Sequence, residues 1–220
     1  LQNAETSFLQ LVDITKPKLN SNNAIVKVLG VGVCGSDLLK LNQGLVKPGT
    51  ILGHEMVGVI DEISAELSSR YNLKVGDRII SSHHVPCLKC DYCLNGQESL
   101  CAQFKSTNFN PGAFCEYLEL SEAHLKHTVE KIPEHLSDEE ASFVEPVACC
   151  IKAAERSAIS QSTPRTLIIG LGSIGLIMGQ VVKHYAANAE VTGLDLIEDR
   201  FKLAQELGFD NYVSSLSHSD

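Results

Sequence analysis

Apolar and polar positions alternate in short runs through the first hundred or so residues, and the runs stop at Gly, Pro, Asn or Asp. AIVKVLGVGV (24–33), MVGVIDEI (56–63) and DRIISS (77–82) read as strands by this pattern. Several such strands in succession predict a small barrel or sandwich. The period changes at Ser137. There SDEEASFVEPVACCIKAAERSAI (137–159) opens with Ser followed three residues later by Glu140, the pattern of a capping box, which predicts a helix linking two domains. After a break at SQSTPR come a buried strand TLIIG (166–170), a helix SIGLIMGQVVKHYAA (173–187), a strand EVTGLD (190–195) and a helix EDRFKLAQELG (198–208). NYVSS (211–215) opens a third strand. Alternation of this kind predicts right-handed parallel βαβ units. A complete dinucleotide-binding sheet has about six strands, so roughly half of one is expected here. No internal repeat or low-complexity tract interrupts the chain.

Composition narrows the function classes. With 220 residues and 44% hydrophobic content, the chain can bury a substantial core, which excludes disorder. A formal net charge of −9 disfavours a surface that neutralises nucleic-acid phosphates or an anionic membrane. LQNAETSFLQ lacks the basic start and apolar run of a secretory leader, and no stretch reaches the ~18 apolar residues of a membrane span. A cytoplasmic protein is therefore expected, with no membrane or nucleic-acid partner. Of eight cysteines, four fall within fifteen residues, a spacing that favours metal binding by reduced thiols over a disulfide framework.

Those four, Cys87, Cys90, Cys93 and Cys101, form CxxCxxCx7C. Four thiolates on one short loop suit a closed tetrahedral zinc site of structural type. The iron–sulfur pattern with a last gap of three followed by Pro does not match, and neither does a zinc ribbon with two well-separated CxxC pairs. A second set lies earlier: Cys34 in VCGSD, and His54 and Glu55 in GHE. Cys, neutral His and a carboxylate are zinc ligands, and three protein ligands leave a position open for chemistry. Taken singly, the ordinary readings are favoured, Cys34 as a core thiol, His54 as a bonded histidine and Glu55 as a surface charge; their combination beside glycines at strand–loop junctions, with a cysteine lobe following in the same chain, reverses this in favour of the metal. Glu145, inside the apolar FVEPVACC, is either a carboxylate compensated by a metal or an ordinary helix-surface glutamate. Cys149 and Cys150 read as core thiols.

Gly170, Gly172 and Gly175 form GxGxxG after an expected strand, with Ser173 and Ile174 opening the next helix. Such glycines allow a tight turn and close approach of backbone to a pyrophosphate at a helix N-terminus. Asp195 lies twenty residues after Gly175 at the end of the second strand, where a carboxylate accepts from an adenosine ribose. That placement favours NAD over NADP, while Arg200 nearby keeps the opposite preference open.

In order, GVGVCGSD, GHE, GDR, CxxCxxCx7C, EP and GLGSIG resemble the zinc-containing medium-chain dehydrogenases, above all the sorbitol and threonine dehydrogenase branch. The resemblance covers essentially the whole chain. It implies an α/β plus β fold: a GroES-like zinc-binding catalytic domain over residues 1–145 and the N-terminal half of a Rossmann domain over 146–220. It implies two zinc ions per subunit. The catalytic one would be held by Cys34, His54, Glu55 and Glu145, the two carboxylates binding directly, through water or by exchange, and the structural one by the four clustered cysteines. Asp37 resembles the carboxylate that orients the ligating histidine, and Ser36 the hydroxyl that passes on the alcohol proton; both types also cap helices. Many relatives carry a histidine where this chain has Leu39, so the outer proton relay differs. The implied activity is hydride transfer between a secondary alcohol (polyol, sugar or amino alcohol) and NAD, in a homo-oligomer, dimer or tetramer. An NADPH-linked carbonyl reductase and an inactive zinc-binding relative are the alternatives.

Overall fold

The computed structural model describes residues 9–214. The opening segment through residue 8, and the tail from Ser215 that ends the third expected strand, lie outside them. The chain divides into two compact units, Leu1–Val144 and Glu145–Asp220.

In the first unit the elements run β1 (Asn23–Gly32), α1 (Gly35–Asn42), β2 (Glu55–Ile63), α2 (Ala65–Tyr71), β3 (Arg78–Ser81), α3 (Asp91–Leu94), α4 (Ala102–Ser106), β4 (Tyr117–Ser121), α5 (Glu122–His127), β5 (Val129–Lys131) and α6 (Asp138–Ser142). The strands form one antiparallel sheet in the order β4-β1-β2-β3-β5. The three strands expected from alternation are its centre, and two short strands form its edges. The two-residue period sorts side chains by face: Ile79 enters the main core with Val26, Met56, Ile60, Leu118 and Leu120, while Ile80 packs with Val57, Ile132 and Ala141. Each fully buried aliphatic chain contributes about 1.5–3 kcal/mol.

The β1–β2 ladder shifts register between Ile25 and Val26 and again between Val28 and Gly30, after which Gly32 pairs with Glu55. Since a one-residue slip exchanges the faces of a strand, the second shift decides which side chains the ends of β1 and β2 bring together. The GDR segment is structural. Gly76 takes φ +92, Asp77 accepts from the Lys74 backbone N–H at 2.9 Å, and Arg78 donates to Asp138 at 2.6 and 2.9 Å and to the Leu136 carbonyl. Arg78 thus fastens α6 to the sheet.

The capping box at Ser137 forms, with both reciprocal bonds to Glu140. The helix it starts is nevertheless shorter than expected: α6 stops at Ser142, and a new helix, α7 (Val144–Arg156), begins after Phe143. The cause is Pro146, which has no N–H to give the Ser142 carbonyl and is tolerated only in a first turn.

The second unit continues with β6 (Arg165–Ile169), α8 (Ser173–Tyr185), β7 (Glu190–Asp195), α9 (Asp199–Glu206) and β8 (Asn211–Ser214). Its strands form a parallel sheet ordered β6-β7-β8. Ile168, Leu171, Leu176, Val182, Val191, Ala204 and Phe209 make its core. Phe209 occupies the space left by Gly179, where a Cβ would stand 2.2 Å from its ring. No described helix is long and apolar enough to cross a membrane.

Candidate functional site

In the first unit, β1 runs out at Gly32 and the chain turns into α1, whose N-cap is Cys34. The Cys34 sulfur accepts from the Ser36 backbone N–H at 3.4 Å. Cys34 therefore caps this helix, not Ser36 or Asp37, and Asp37 turns inward to 2% exposure. Ser36 is half-buried, and among the described residues its hydroxyl engages no other group. Leu39 is exposed on the same helix.

His54 and Glu55 stand where β2 begins, and Glu55 faces Gly32 across the ladder. A Cβ at Gly32 would lie 2.1 Å from Glu55 Oε2, so glycine there makes room for the carboxylate. The approach to β2 is pinned by Gly53, at φ +90, whose carbonyl accepts from Ala113 at 3.1 Å, and by Leu52, whose carbonyl accepts from Phe114 at 2.8 Å. As a result one ligand atom from each of Cys34, His54 and Glu55 lies within 4.8 Å of the others.

The surroundings fit a metal cation. His54 and Glu55 are each only 8% exposed. His54 Nδ1 lies 3.5 Å from Asp37 Oδ1, and both Asp37 carboxylate oxygens are buried without a hydrogen-bond partner. An uncompensated buried carboxylate is costly. A dication held by Cys34, His54 and Glu55 would supply the missing positive charge and polarise the His54 N–H toward Asp37.

Sequence reasoning missed the histidines beside this cluster. The His83 ring packs 4.7 Å from that of His54 and 3.9 Å from that of His84, centroid to centroid. Burial, reinforced by His84 and His54, pushes His83 down to about 3, so it is a neutral imidazole. His124, on α5, is 2% exposed and donates through Nε2 to the His83 carbonyl at 3.1 Å. The signal available in the sequence was the His–His pair directly after the β3 pattern and just before Cys87.

The four clustered cysteines converge, with sulfurs within 4.8 Å of one another. Cys90 caps α3, Cys93 lies within it and Cys101 caps α4. Leu88, between the first two cysteines, takes φ +56 to close the turn. The Cys90–Cys93 and Cys87–Cys93 sulfur separations are 3.6 and 4.0 Å. They bracket the ~3.8 Å edge of a tetrahedron of thiolates around zinc at ~2.3 Å. All eight cysteines are free thiols. Backbone N–H groups of Cys87 and Phe104 pull Cys101 down to about 6, whereas burial and then the neighbouring thiols push Cys93 up to about 12. A bound cation would relieve that opposition by holding all four as thiolates.

In the second unit, Gly170 takes φ +92 at the turn after β6. Gly172 is the N-cap of α8, with open space where its Cβ would be, and Ser173 and Ile174 begin the helix. A Cβ on Gly175 would meet the Gly170 carbonyl oxygen at 1.8 Å, so this position packs helix against turn. Asp195, 6% exposed at the end of β7, accepts from the Leu171 N–H at 2.6 Å, the Ile197 N–H at 2.8 Å and Arg200 at 2.9 Å. Those contacts, the two backbone N–H groups foremost, hold its carboxyl at about 2. Asp195 and Arg200, read from the sequence as opposing determinants, are joined in one ion pair. Glu145 lies in the first turn of α7, with Oε1 4.0 Å from the Cys149 sulfur. Cys150 is buried with Ala154, Ile177 and Val181, but Cys149 is exposed, which corrects its reading as a core thiol.

Comparison with known proteins agrees with this architecture. Residues 20–134 match the family described as alcohol dehydrogenase GroES-like domain. The chain is 31% identical over 212 residues to a D-arabitol-phosphate dehydrogenase of Enterococcus avium, covering 94% of this chain and 58% of that protein. It is 33% identical over 216 residues to a sorbitol dehydrogenase of Bacillus subtilis, covering 95% and 59%. Among solved structures, an acetophenone reductase from Geotrichum candidum in complex with NAD superposes with a TM-score of 0.82 at 27% identity, covering 99% of this chain and 63% of that one. The chain thus spans less than two thirds of the length of these relatives. With the antiparallel GroES-like unit, the βαβ unit and this match over more than half its length, the chain belongs to the zinc-containing medium-chain dehydrogenase family.

Proposed function

We propose that the protein is a zinc-dependent oxidoreductase that transfers a hydride between a secondary alcohol, of polyol type, and NAD. The observation that carries this reading is the convergence of Cys34, His54 and Glu55 in front of an Asp37 carboxylate that is buried with no hydrogen-bond partner. The relatives' printed names, a polyol-phosphate and a polyol dehydrogenase, support the substrate class. The NAD-bound neighbour supports the cofactor. When bound, zinc supplies Lewis acidity that lowers the pKa of the alcohol hydroxyl, and NAD supplies the hydride acceptor.

The remaining work falls to side chains of this protein. Cys34, His54 and Glu55 hold the metal with a position left open. Asp37 faces His54 Nδ1, which leaves Nε2 for the metal and sets the tautomer. Ser36 carries the alcohol proton away through a hydroxyl that no other described residue engages. Cys87, Cys90, Cys93 and Cys101 hold a second, structural zinc that takes no part in the reaction. Gly170, Gly172, Ser173, Ile174 and Gly175 receive the cofactor pyrophosphate at the N-terminus of α8, and Asp195 with Arg200 lies at the ribose. Because Arg200 compensates the Asp195 charge, the electrostatic barrier to a 2′-phosphate is low, and NADP competes more closely than a lone aspartate would allow.

The test is steady-state reduction of NAD and of NADP by a panel of polyols and secondary alcohols, before and after mild chelation. Turnover that disappears with the labile metal and returns with zinc supports the reading. Metal-independent turnover, or none with any alcohol, overturns it.

A further inference from the structure

Two stretches of chain lead out of the cysteine cluster, residues 82–87 and 101–107, and they are bonded to each other along their length. The Cys87 N–H donates to the Cys101 sulfur at 3.4 Å, Gln103 Nε2 to the Val85 and Pro86 carbonyls at 3.4 Å, and the Val85 N–H to the Thr107 hydroxyl at 2.8 Å. At the far end His84 Nδ1 donates to the Thr107 carbonyl at 2.6 Å, and the His84 ring packs 4.7 Å from that of Phe104. Phe104 lies on α4 and Thr107 ends it, so α4 holds the His84 side chain.

α4 in turn depends on the cysteines. Its five residues are too few for a helix to persist without support. It starts directly after Cys101, whose carbonyl accepts from the Lys105 N–H at 3.2 Å and whose sulfur is one of the four that converge. A filled cysteine cluster fixes Cys101 and the helix with it, and an empty one releases both. From His84 the contacts continue inward: its ring lies 3.9 Å from that of His83, and the His83 ring 4.7 Å from that of His54. His83 Nδ1 makes no hydrogen bond, and Asp37 stands 3.5 Å from His54 Nδ1 without one, so ring packing helps to orient both imidazoles. The His83 backbone is tied separately, its carbonyl accepting from His124 Nε2 at 3.1 Å. The cysteine cluster therefore reaches the His83 ring through His84 and leaves the course of the chain unaltered.

We propose that His84 is a positioning residue that couples the two clusters: the filled cysteine site holds α4, α4 holds His84, and His84 keeps His83 packed against His54, so that metal at the cysteines tightens metal at Cys34, His54 and Glu55. The coupling is reciprocal, because both sites bias one element. It rests on the reading of both sets as metal sites.

The experiment measures the zinc affinity of the Cys34, His54 and Glu55 cluster by competition with a chromogenic chelator, at concentrations that leave cysteine-bound zinc in place. The full chain is compared with Cys93→Ser, His84→Ala and the double variant. Each single change is expected to weaken this cluster about tenfold, and the double change no further, because both cut one link. An affinity unchanged in His84→Ala overturns the proposal, and so do losses that multiply to about a hundredfold, the mark of two independent effects. The reverse direction needs no cysteine variant and decides the matter if Cys93→Ser does not fold. In urea below the unfolding transition, zinc at Cys34, His54 and Glu55 is expected to slow labelling of Cys87, Cys90, Cys93 and Cys101 by a thiol reagent about tenfold in the parent, read by peptide mass, and to have no such effect in His84→Ala. Equal labelling of the parent with and without that zinc overturns the proposal. A parent that takes up a single zinc overturns it together with the reading of Cys34, His54 and Glu55 as a metal site, whereas two zinc ions without coupling overturn the proposal alone.

Discussion

Two metal-type clusters in one unit are built in opposite ways. Cys87, Cys90, Cys93 and Cys101 come from one local stretch, are four alike, and close a tetrahedron by themselves. Cys34, His54 and Glu55 come from the ends of separate elements, differ in chemistry, and stop at three. The first needs little beyond its own turns, such as Leu88 at φ +56 and the caps at Cys90 and Cys101. The second depends on the sheet: the register that sets Gly32 against Glu55, and the orientation of α1 that buries Asp37 behind His54. A closed local site holds a lobe together, and an open site assembled by the fold is where chemistry is placed.

The largest effect should come from breaking the local cluster. Cys93→Ser is expected to release the structural metal and unfold the lobe, since metal binding there is folding free energy of about 10 kcal/mol or more at neutral pH. Titration with a thiol reagent in the native state would show the remaining lobe cysteines becoming reactive, whereas Cys34→Ser should leave them protected.

Gly32→Ala probes the assembled cluster through the sheet. Its Cβ cannot coexist with Glu55 Oε2 at 2.1 Å, so the carboxylate is displaced and the strand pair strained by about 1–3 kcal/mol. Equilibrium denaturation should show that loss together with weaker binding of the labile metal, and an unaltered metal affinity would mean that Glu55 is no ligand. Asp37→Asn is milder on the fold because it removes a buried charge that has no hydrogen-bond partner. It should weaken the labile metal about 10–100-fold, as measured by competition with a chromogenic chelator, while sparing the cysteine-bound one.

The smallest effect is on the second unit and on pH. The Asp195 carboxyl is held at about 2, below an unfolded value near 4, so its contribution is complete above pH ~4 and is lost as pH falls through about 2. Unfolding followed from pH 5 to 2 should be flatter for Asp195→Asn than for the parent; identical profiles would show that the contacts to Leu171, Ile197 and Arg200 do not stabilise the charge.

What could be read from the sequence followed the same division between local and assembled features. The CxxCxxCx7C spacing, the GxGxxG turn and the capping box at Ser137 are local, and their geometry is determined by residues a few positions apart. The central strands were legible because alternation marks a half-buried face. Val129–Lys131 was not, since three residues at a sheet edge carry too short a pattern. The break at Phe143 was written in Pro146 but was outweighed by the apolar run around it. Asp37 was placed at the histidine by the family resemblance alone, since nothing beside it in the chain tells that its carboxylate faces His54. His83 was the hardest, because it reaches His54 only through the pairing of β2 and β3 at Val57 and Ile80.

The most direct test of the central claim is elemental analysis of zinc per chain in the parent and in a Cys34→Ser, His54→Ala variant that retains the parent's thermal unfolding profile. Two zinc ions in the parent and one in the variant are the predicted result. One in both would mean that the assembled cluster is not a metal site, and would contradict the account.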